Sequence, residues 1–152
     1  MSTVTQRQAW MAILAKTELE LLEPLVNKLG NVPSYSFLRS PEIGLTMVRG
    51  RAGGTGEPFN LGEITITRCV VQLESQGDET ITGFGYVAGR SQRHAELAAV
   101  CDGLLQTPNW HDQINSEIIQ PLQIEHQKQQ QLKQRQTEAT KVNFFTMVRG
   151  EG

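Results

Sequence analysis

An α+β fold is predicted by two kinds of hydrophobic pattern in this 152-residue chain. Apolar residues recur at helical spacing near the start, at residues 89–106 and beyond Pro108, whereas strand-like runs separated by turn residues occupy the middle. The predicted architecture has N-terminal helices, an antiparallel sheet of about four strands covered by a helix, and an extended C-terminal helical arm and tail. The chain is long enough for one domain over residues 1–152, with the arm at about 109–152.

Two short helices are predicted at the N-terminal end. Residues 6–16 form the first, since their apolar positions have helical spacing. Thr17 and Glu20 have the spacing of a capping box, which predicts a second helix directly after them. Pro24 is expected to interrupt or restart that helix, and Gly30 is expected to end it.

The strands are predicted from alternation of apolar residues. Residues 35–39 and 44–48 are short strands, and residues 64–73 and 80–87 are the next two. The alternation changes phase within the third segment, because Ile64 and Ile66 have one parity and Cys69 and Val71 have the other. A bulge or bend near residues 67–68 would reconcile them, since a one-residue slip moves every side chain to the other face.

The clearest helix is predicted at residues 89–106, which carry a complete apolar stripe. Its interior glycine, Gly103, is expected to accept alanine if there is room. Another amphipathic helix follows Pro108, and Pro121 should kink or stop it. The Gln-rich segment 123–136 then leads to an apolar tail at residues 142–148, and such a tail is typical of a docking segment.

The sequence Thr-Met-Val-Arg-Gly occurs twice, at residues 46–50 and 146–150. Both copies look strand-like, and five residues are too few for a structural repeat. Coincidence is the safer interpretation, and pairing of the two segments is the alternative.

Composition excludes several classes of protein. Apolar residues make up 38% of the chain and the net charge is −2, as in an ordinary folded protein. No run could span a membrane or serve as a leader, and Cys69 and Cys101 lack the spacing of a zinc site or a disulfide framework. We therefore expect a cytoplasmic protein that binds neither membrane nor metal.

Arginine replaces lysine through the middle of the chain. Between Lys28 and Lys128 there is no lysine, yet six arginines occur. A guanidinium group grips carboxylate or phosphate in two places and tolerates partial burial, so these residues favour an interface; a simple surface preference is the alternative. The interspersed glutamates argue against a nucleic-acid partner. The six are Arg39, Arg49, Arg51, Arg68, Arg90 and Arg93.

The most distinctive stretch is residues 49–68, which hold five glycines and three arginines. It lacks the lysine and Ser/Thr of a P-loop and precedes a strand rather than a helix, so it is neither a Walker site nor a dinucleotide fingerprint. A tight seam against another chain, an anion contact and a plain loop remain as interpretations.

Basic residues crowd the start of the predicted helix at residues 90–94. Ser91 is a plausible N-cap, and the cations there suggest an anion nearby: a phosphate, Glu63 or a carboxylate of a partner. Arg90 and Arg93 pointing to water is the alternative. His94 and Glu96 do not share a helix face, so His94 is expected to form a hydrogen bond or an interface rather than a catalytic dyad.

Three separated motifs resemble one known family. They read RAGGTGEPFNLGE–TRC from Arg51, GYVAGRSQRHAE at residues 85–96 and FFTMVRG at residues 144–150. In this order they resemble the G subunit of the bacterial carbon–phosphorus lyase core complex. The candidate binding or interface residues are Gly53, Gly54, Thr55, Gly56, Phe59, Gly62, Thr67, Arg68, Arg90, His94, Glu96, Phe144, Phe145 and Met147.

The resemblance implies a role in phosphonate catabolism. Subunits G, H and I, with the ATPase-like L protein, are implied in a step in which a phosphonate displaces adenine from MgATP to give a ribose 1-phosphonate 5-triphosphate. The implied partners are subunits H, I and J in a two-fold hetero-oligomer, with the ATPase-like K and L proteins. The iron–sulfur cluster and S-adenosylmethionine belong to subunit J by the same resemblance. This chain would then not be catalytic alone; the alternative is a purely structural scaffold that clamps subunit I without touching substrate.

Overall fold

The computed structural model describes residues 3–51, 56–74 and 80–150. Helices precede and follow a three-stranded antiparallel sheet, which confirms the predicted α+β class. The elements are α1 (Thr3–Lys16), α2 (Leu19–Asn27), β1 (Tyr35–Arg51), β2 (Pro58–Leu73), β3 (Ile81–Ala88), α3 (Gln92–Leu105), α4 (Pro108–Ile114), a π-helical segment (Asn115–Ile119) and α5 (Gln120–Gly150). None of the helices in these described ranges has the length and apolar content needed to cross a bilayer.

The N-terminal helices differ from prediction in detail. Residue Glu18, not Thr17, is the N-cap of α2, and its main-chain carbonyl accepts the first helical bonds without help from a side chain. The predicted capping box is therefore wrong. Pro24 lies inside α2 without breaking it, because the short helix continues one turn further through the bond from Lys28 N–H to the Pro24 carbonyl. Gly30 follows the helix with φ +77°, as expected of a residue that redirects the chain.

All four predicted strand segments form strands, and the first two are halves of β1. The sheet order is β1-β2-β3, with antiparallel pairing throughout. The bulge predicted near residues 67–68 of β2 is wrong, because the irregularities of this region lie in β1, where the pairing with β2 shifts between Phe37 and Arg39 and again between Arg39 and Glu42. β2 itself pairs with β3 without interruption.

The phase change within β2 has a simpler origin than a bulge in that strand. Thr67, Cys69 and Val71 are fully buried, so their parity faces the core, and we call this face of the sheet the inner face. Ile64 has the opposite parity and is 42% exposed. β2 therefore carries apolar residues on both of its faces, and those with the parity of Ile64 face away from the core. We call this second face the outer face.

Helix α3 covers the inner face and lies closest to β3. A Cβ built on Gly83 would come within 2.0 Å of the Ala99 carbonyl oxygen, and one on Gly85 within 2.1 Å of the Ala95 carbonyl oxygen. Only glycine permits this approach between strand and helix. At Gly103 a Cβ would meet the buried Leu73 side chain at 2.8 Å, so the room that alanine needs there is not open.

A buried carboxylate joins α1, α3 and β3. The Asp102 side chain is fully buried and accepts hydrogen bonds from Arg7 (2.9 and 3.2 Å), from Trp10 Nε1 (2.8 Å) and from the main-chain N–H of Phe84 (2.9 Å). The hydrogen bond to Asp102 raises the pKa of Arg7 above its ordinary value. The Arg7 guanidinium also lies over the Phe84 ring at 5.5 Å. The sequence pattern places Asp102 only as one residue of a helix whose core stripe is apolar.

The C-terminal helices run on from one another. Pro121 does not stop the helix, because α5 continues through it. The π-helical segment Asn115–Ile119 comes directly before, and it changes the hydrogen-bond spacing at the place where proline has no N–H to donate. Buried Ile114, Ile118 and Leu122 attach this part to the core. Beyond it α5 continues to Gly150, which confirms a helical arm. The second copy of the repeated pentapeptide is therefore helical, whereas the first lies in β1.

Candidate functional site

The hairpin formed by β1 and β2 extends well beyond β3. β3 pairs with β2 only from Ile66 to Leu73, so residues 45–51 and 58–65 form a two-stranded ribbon without a third strand. We call this ribbon the distal hairpin. A ribbon of two strands has little core of its own and is marginal in isolation.

Apolar side chains are exposed on both faces of the distal hairpin. Ile43 is paired with the buried Thr67, so Leu45 and Met47, two and four residues further along, share its inner face. Leu45 is 67% exposed and Met47 52%. This apolar row continues the inner face beyond the helix that covers the rest of it.

The outer face of the distal hairpin is apolar as well. Ile64 lies on it, and Phe59 and Leu61 lie where a Cβ at Gly50 would point, at 3.4 and 3.1 Å. Leu61 is 62% exposed and Phe59 46%. The predicted interface residue Phe59 is thus part of an exposed apolar surface.

Glycine shapes the distal hairpin at Gly62. The register of the pairing shifts between Val48 and Arg49, opposite this residue, and Gly62 has φ +149°. Residues with a side chain rarely adopt this backbone conformation, so the register shift depends on glycine at this position. Of the preceding Gly-rich loop, Gly56 is half-buried, while Gly53, Gly54 and Thr55 lie outside the described residues.

Thr67 is the centre of the junction at which β2, β3 and α3 meet. Its buried hydroxyl donates to the Gly89 carbonyl oxygen at 2.7 Å and accepts from the Ser91 N–H at 3.1 Å. Gly89 has φ +92°, and the Ser91 hydroxyl accepts from the His94 N–H at 3.3 Å, which confirms Ser91 as the N-cap of α3. These motif residues therefore build the turn into the helix.

His94 and Glu96 also have their partners inside the chain. His94 is 7% exposed, and its Nε2 donates to the Leu14 carbonyl oxygen at 2.9 Å, which ties α3 to α1. This confirms a hydrogen-bonding role. Glu96 accepts from the Tyr35 hydroxyl at 2.6 Å. Burial, and then this hydrogen bond, raise the pKa of Tyr35 to about 12, so the phenol stays protonated as a donor.

The carboxylates that bind Arg93 are not Glu63, the one carboxylate of this chain that we expected near the start of α3. Arg93 donates to Glu23 at 3.0 Å and to Glu96 at 3.3 Å, and the hydrogen bond to Glu23 is the main reason that its pKa is raised. Glu63 instead lies opposite Met47 in the distal hairpin. The anion that meets Arg93 at the start of α3 is therefore supplied from within the chain.

Arg68 lies on the outer face, half-exposed, with its Nε 3.2 Å from Glu42 Oε1. Arg39 approaches the same oxygen at 3.3 Å, so two guanidinium groups share one carboxylate. Arg90 is exposed between β3 and α3. The structure brings Thr67, His94 and Glu96 into the packed junction and leaves Arg68 and Arg90 at the surface.

Neither cysteine is activated as a thiolate. Burial raises the pKa of Cys69 to about 11 and that of Cys101 to about 12, which keeps both as thiols at neutral pH. No group of three or more His, Cys, Asp or Glu side chains within residues 3–51, 56–74 and 80–150 is placed to hold a metal ion. Phe144, Phe145 and Met147 belong to the last turns of α5, where the structure describes the backbone alone.

Comparison with known proteins identifies the family. The family model described as phosphonate metabolism protein PhnG matches residues 5–150. The chain is also 38% identical, over 151 residues, to "Alpha-D-ribose 1-methylphosphonate 5-triphosphate synthase subunit PhnG" of Rhizobium meliloti (strain 1021), an alignment that covers 97% of this chain and 92% of that protein. These matches confirm the resemblance that the three sequence motifs carry. The chain belongs to the family of phosphonate metabolism protein PhnG.

Proposed function

We propose that this chain is a subunit of the carbon–phosphorus lyase complex of phosphonate catabolism. Its family and the name of its relative, a synthase subunit, support this assignment. In the proposed reaction, subunits H and I and the ATPase-like L protein work with this chain to transfer the ribose triphosphate of ATP to a phosphonate, and adenine is displaced. The location proposed for it is the cytoplasm.

Within that complex the proposed role of this chain is docking rather than chemistry. The observation that carries the proposal is the distal hairpin, a ribbon with Leu45, Met47, Phe59 and Leu61 exposed on its two faces. Apolar side chains grouped in this way mark interaction surfaces on folded proteins. The polar motif residues support the same role, because their hydrogen bonds stabilise the fold. The Thr67 hydroxyl, for example, forms both of its hydrogen bonds within the chain.

The proposed partner at the distal hairpin is subunit I, in a two-fold hetero-oligomer that also contains subunits H and J and recruits the K and L proteins. MgATP is the substrate of the complex in this proposal, and this chain holds no cofactor of its own. The iron–sulfur cluster and S-adenosylmethionine are assigned to subunit J.

A second candidate role, contact with substrate, is favoured by one observation. Arg39 and Arg68 share the single carboxylate of Glu42, which leaves surplus positive charge on the outer face, and Arg90 is exposed. Guanidinium groups of this kind suit phosphate or phosphonate oxygens. The two roles differ in their expected loss: docking residues affect assembly, and substrate-binding residues affect turnover.

The test of docking is to replace Leu45 and Leu61 together by serine. The double variant should fold with an unchanged circular dichroism spectrum, because both side chains are already exposed. Co-expressed with tagged subunits H, I and J, it should copurify at least tenfold less than the wild-type chain, a loss of roughly 1.4 kcal/mol or more in binding.

A matched control is Leu132→Ser. Leu132 is 56% exposed on α5, so it undergoes the same chemical change at a similar exposure but away from the hairpin. It should copurify at the wild-type level. Full recovery of the complex with the Leu45/Leu61 double variant would show that the distal hairpin is not the docking surface.

A further inference from the structure

The two edges of the sheet are treated differently by the rest of the chain. At the β3 edge, the main-chain N–H of Phe84 donates to Asp102 Oδ2 at 2.9 Å, and the Thr82 carbonyl oxygen accepts from Gln106 Nε2 at 2.9 Å. Both partners lie on or directly after α3. Side chains from the helix thus occupy the outward main-chain groups of β3, which protects this edge against pairing with another strand.

In an antiparallel ladder, successive residues of a strand direct their N–H and C=O groups to opposite sides, which identifies the groups of β1 that point away from β2. The Gly89 N–H bonds the Thr65 carbonyl oxygen, so odd-numbered residues of β2 bond towards β3 and even-numbered ones bond towards β1. Because Gly44 is paired with Ile66 and Thr46 with Ile64, Gly44 and Thr46 bond inward. The N–H and C=O groups of Ile43, Leu45 and Met47 therefore point away from the sheet.

This β1 edge is long, and its outward main-chain groups have almost no side-chain partners in the described residues. β1 spans 17 residues. In the part of the chain that the structure describes, the one side chain bonded to its main chain is Gln92, whose Nε2 lies 3.5 Å from the Pro41 carbonyl oxygen, outside the segment from Ile43 to Met47. Long edges with exposed apolar residues are the ones that accept further strands.

We propose that the β1 edge from Ile43 to Met47 accepts an extended segment of another subunit of the same complex as an added β-strand. The proposal rests on the proposed function and gives the manner of docking. The added strand would bond the outward groups of Ile43, Leu45 and Met47, and its own side chains would cover the exposed side chains of the same three residues.

The charge of β1 favours an added strand from a different subunit over one from a second copy of this chain. β1 contains Arg39, Arg49 and Arg51 and a single acidic residue, Glu42, which already binds Arg39 and Arg68. A second copy of β1 would bring the same excess of positive charge to the edge. The segment that fits has apolar residues at alternate positions and carboxylates near its ends.

The experiment compares Leu45→Pro with Leu45→Ala in the complex co-expressed with tagged subunits H, I and J. Both variants remove the leucine side chain, but only proline removes the outward N–H; the ladder to β2 stays intact, because Leu45 does not bond inward. The preceding residue is Gly44, which lacks the Cβ that a proline crowds most. Proline should reduce copurification at least tenfold more than alanine.

Residue-resolved hydrogen exchange gives a second, independent measurement on the wild-type chain. In the assembled complex the amides of Ile43, Leu45 and Met47 should become protected, whereas in the isolated chain they exchange freely and the inward amides of Gly44 and Thr46 are protected in both states. This measurement decides the proposal even if Leu45→Pro fails to fold.

Each other outcome has a definite meaning. Equal loss with proline and alanine, and no new protection at the odd-numbered residues, would overturn strand addition while leaving side-chain docking in place. An isolated chain that sediments as a dimer and loses this state on Leu45→Pro, with assembly unaffected, would assign the edge to a second copy and overturn the proposal. Failure of docking itself would instead show as full assembly of the Leu45/Leu61 serine variant.

Discussion

Gly85→Ala is expected to lower the free energy of unfolding by about 3 kcal/mol or more, or to prevent folding. The added methyl would come within 2.1 Å of the Ala95 carbonyl oxygen and 2.8 Å of the Ala99 nitrogen, so the main chain of α3 would have to move. No side-chain rotation relieves a contact with backbone. Urea denaturation of the purified chain or complex, followed by circular dichroism, measures the change.

The matched control is Gly44→Ala. Gly44 also lies in a strand, but a Cβ there meets nothing within 4 Å and its φ is not positive. Alanine should therefore be neutral or stabilise by up to about 1 kcal/mol, because glycine weakens a strand. Equal stability of the Gly85 and Gly44 variants would mean that α3 does not lie directly on β3 as described.

Asp102→Asn is expected to destabilise the fold by about 3 kcal/mol, as for other buried ion pairs that lose one partner. Four groups donate to this carboxylate: Arg7, Trp10, the Phe84 N–H and Gln106 Nε2. Asparagine removes the charge opposite Arg7 and turns an NH₂ donor towards groups that are themselves donors. The thermal midpoint and urea midpoint of the variant measure the loss.

Asp112→Asn supplies the control for this change. Asp112 is exposed on α4, and the same substitution there should alter stability by no more than about 0.5 kcal/mol. An Asp102 variant as stable as the Asp112 variant would show that the carboxylate does not hold α1, α3 and β3 together.

Local patterns predicted the elements of the fold better than the way they pack. The stripe of α3 and the alternation in the strands follow from residue spacing alone, and the structure confirms both. Spacing cannot show which parity of β2 faces the core, because Ile64 is as apolar as Val71; only the position of α3 decides it. The continuity of β1 through Pro41 escaped for a similar reason, since an edge strand tolerates a proline that a central strand would not.

The close packing of α3 on β3 did leave a signal in the sequence. Gly83 and Gly85 occupy alternate positions of a strand, and Ala95, Ala99 and Gly103 recur every four residues along α3. Small residues at both spacings predict the close approach of two backbones. Asp102 gave a weaker signal, a single carboxylate within an otherwise apolar helix.

The candidate site was predicted from motifs, and motifs do not separate folding from docking. Thr67, His94 and Glu96 proved to be packed and hydrogen-bonded within the chain. The exposed row of Leu45 and Met47 was predicted only as a strand, because its exposure depends on β3 ending at Ala88 and leaving the hairpin uncovered. That end point is a property of the tertiary structure.

Turnover measured per assembled complex tests the central claim, that this chain docks rather than reacts, most directly. The variants are Arg68→Lys and Arg90→Lys, which keep the charge but remove the planar fork. Arg68→Lys should change the stability of the chain by less than about 1 kcal/mol, since its pair with Glu42 is exposed. If the chain serves assembly, the yield of complex falls or stays unchanged while kcat/KM per assembled complex remains at the wild-type value. Normal assembly with kcat/KM lowered roughly tenfold or more would contradict the account and place an arginine of this chain on the substrate.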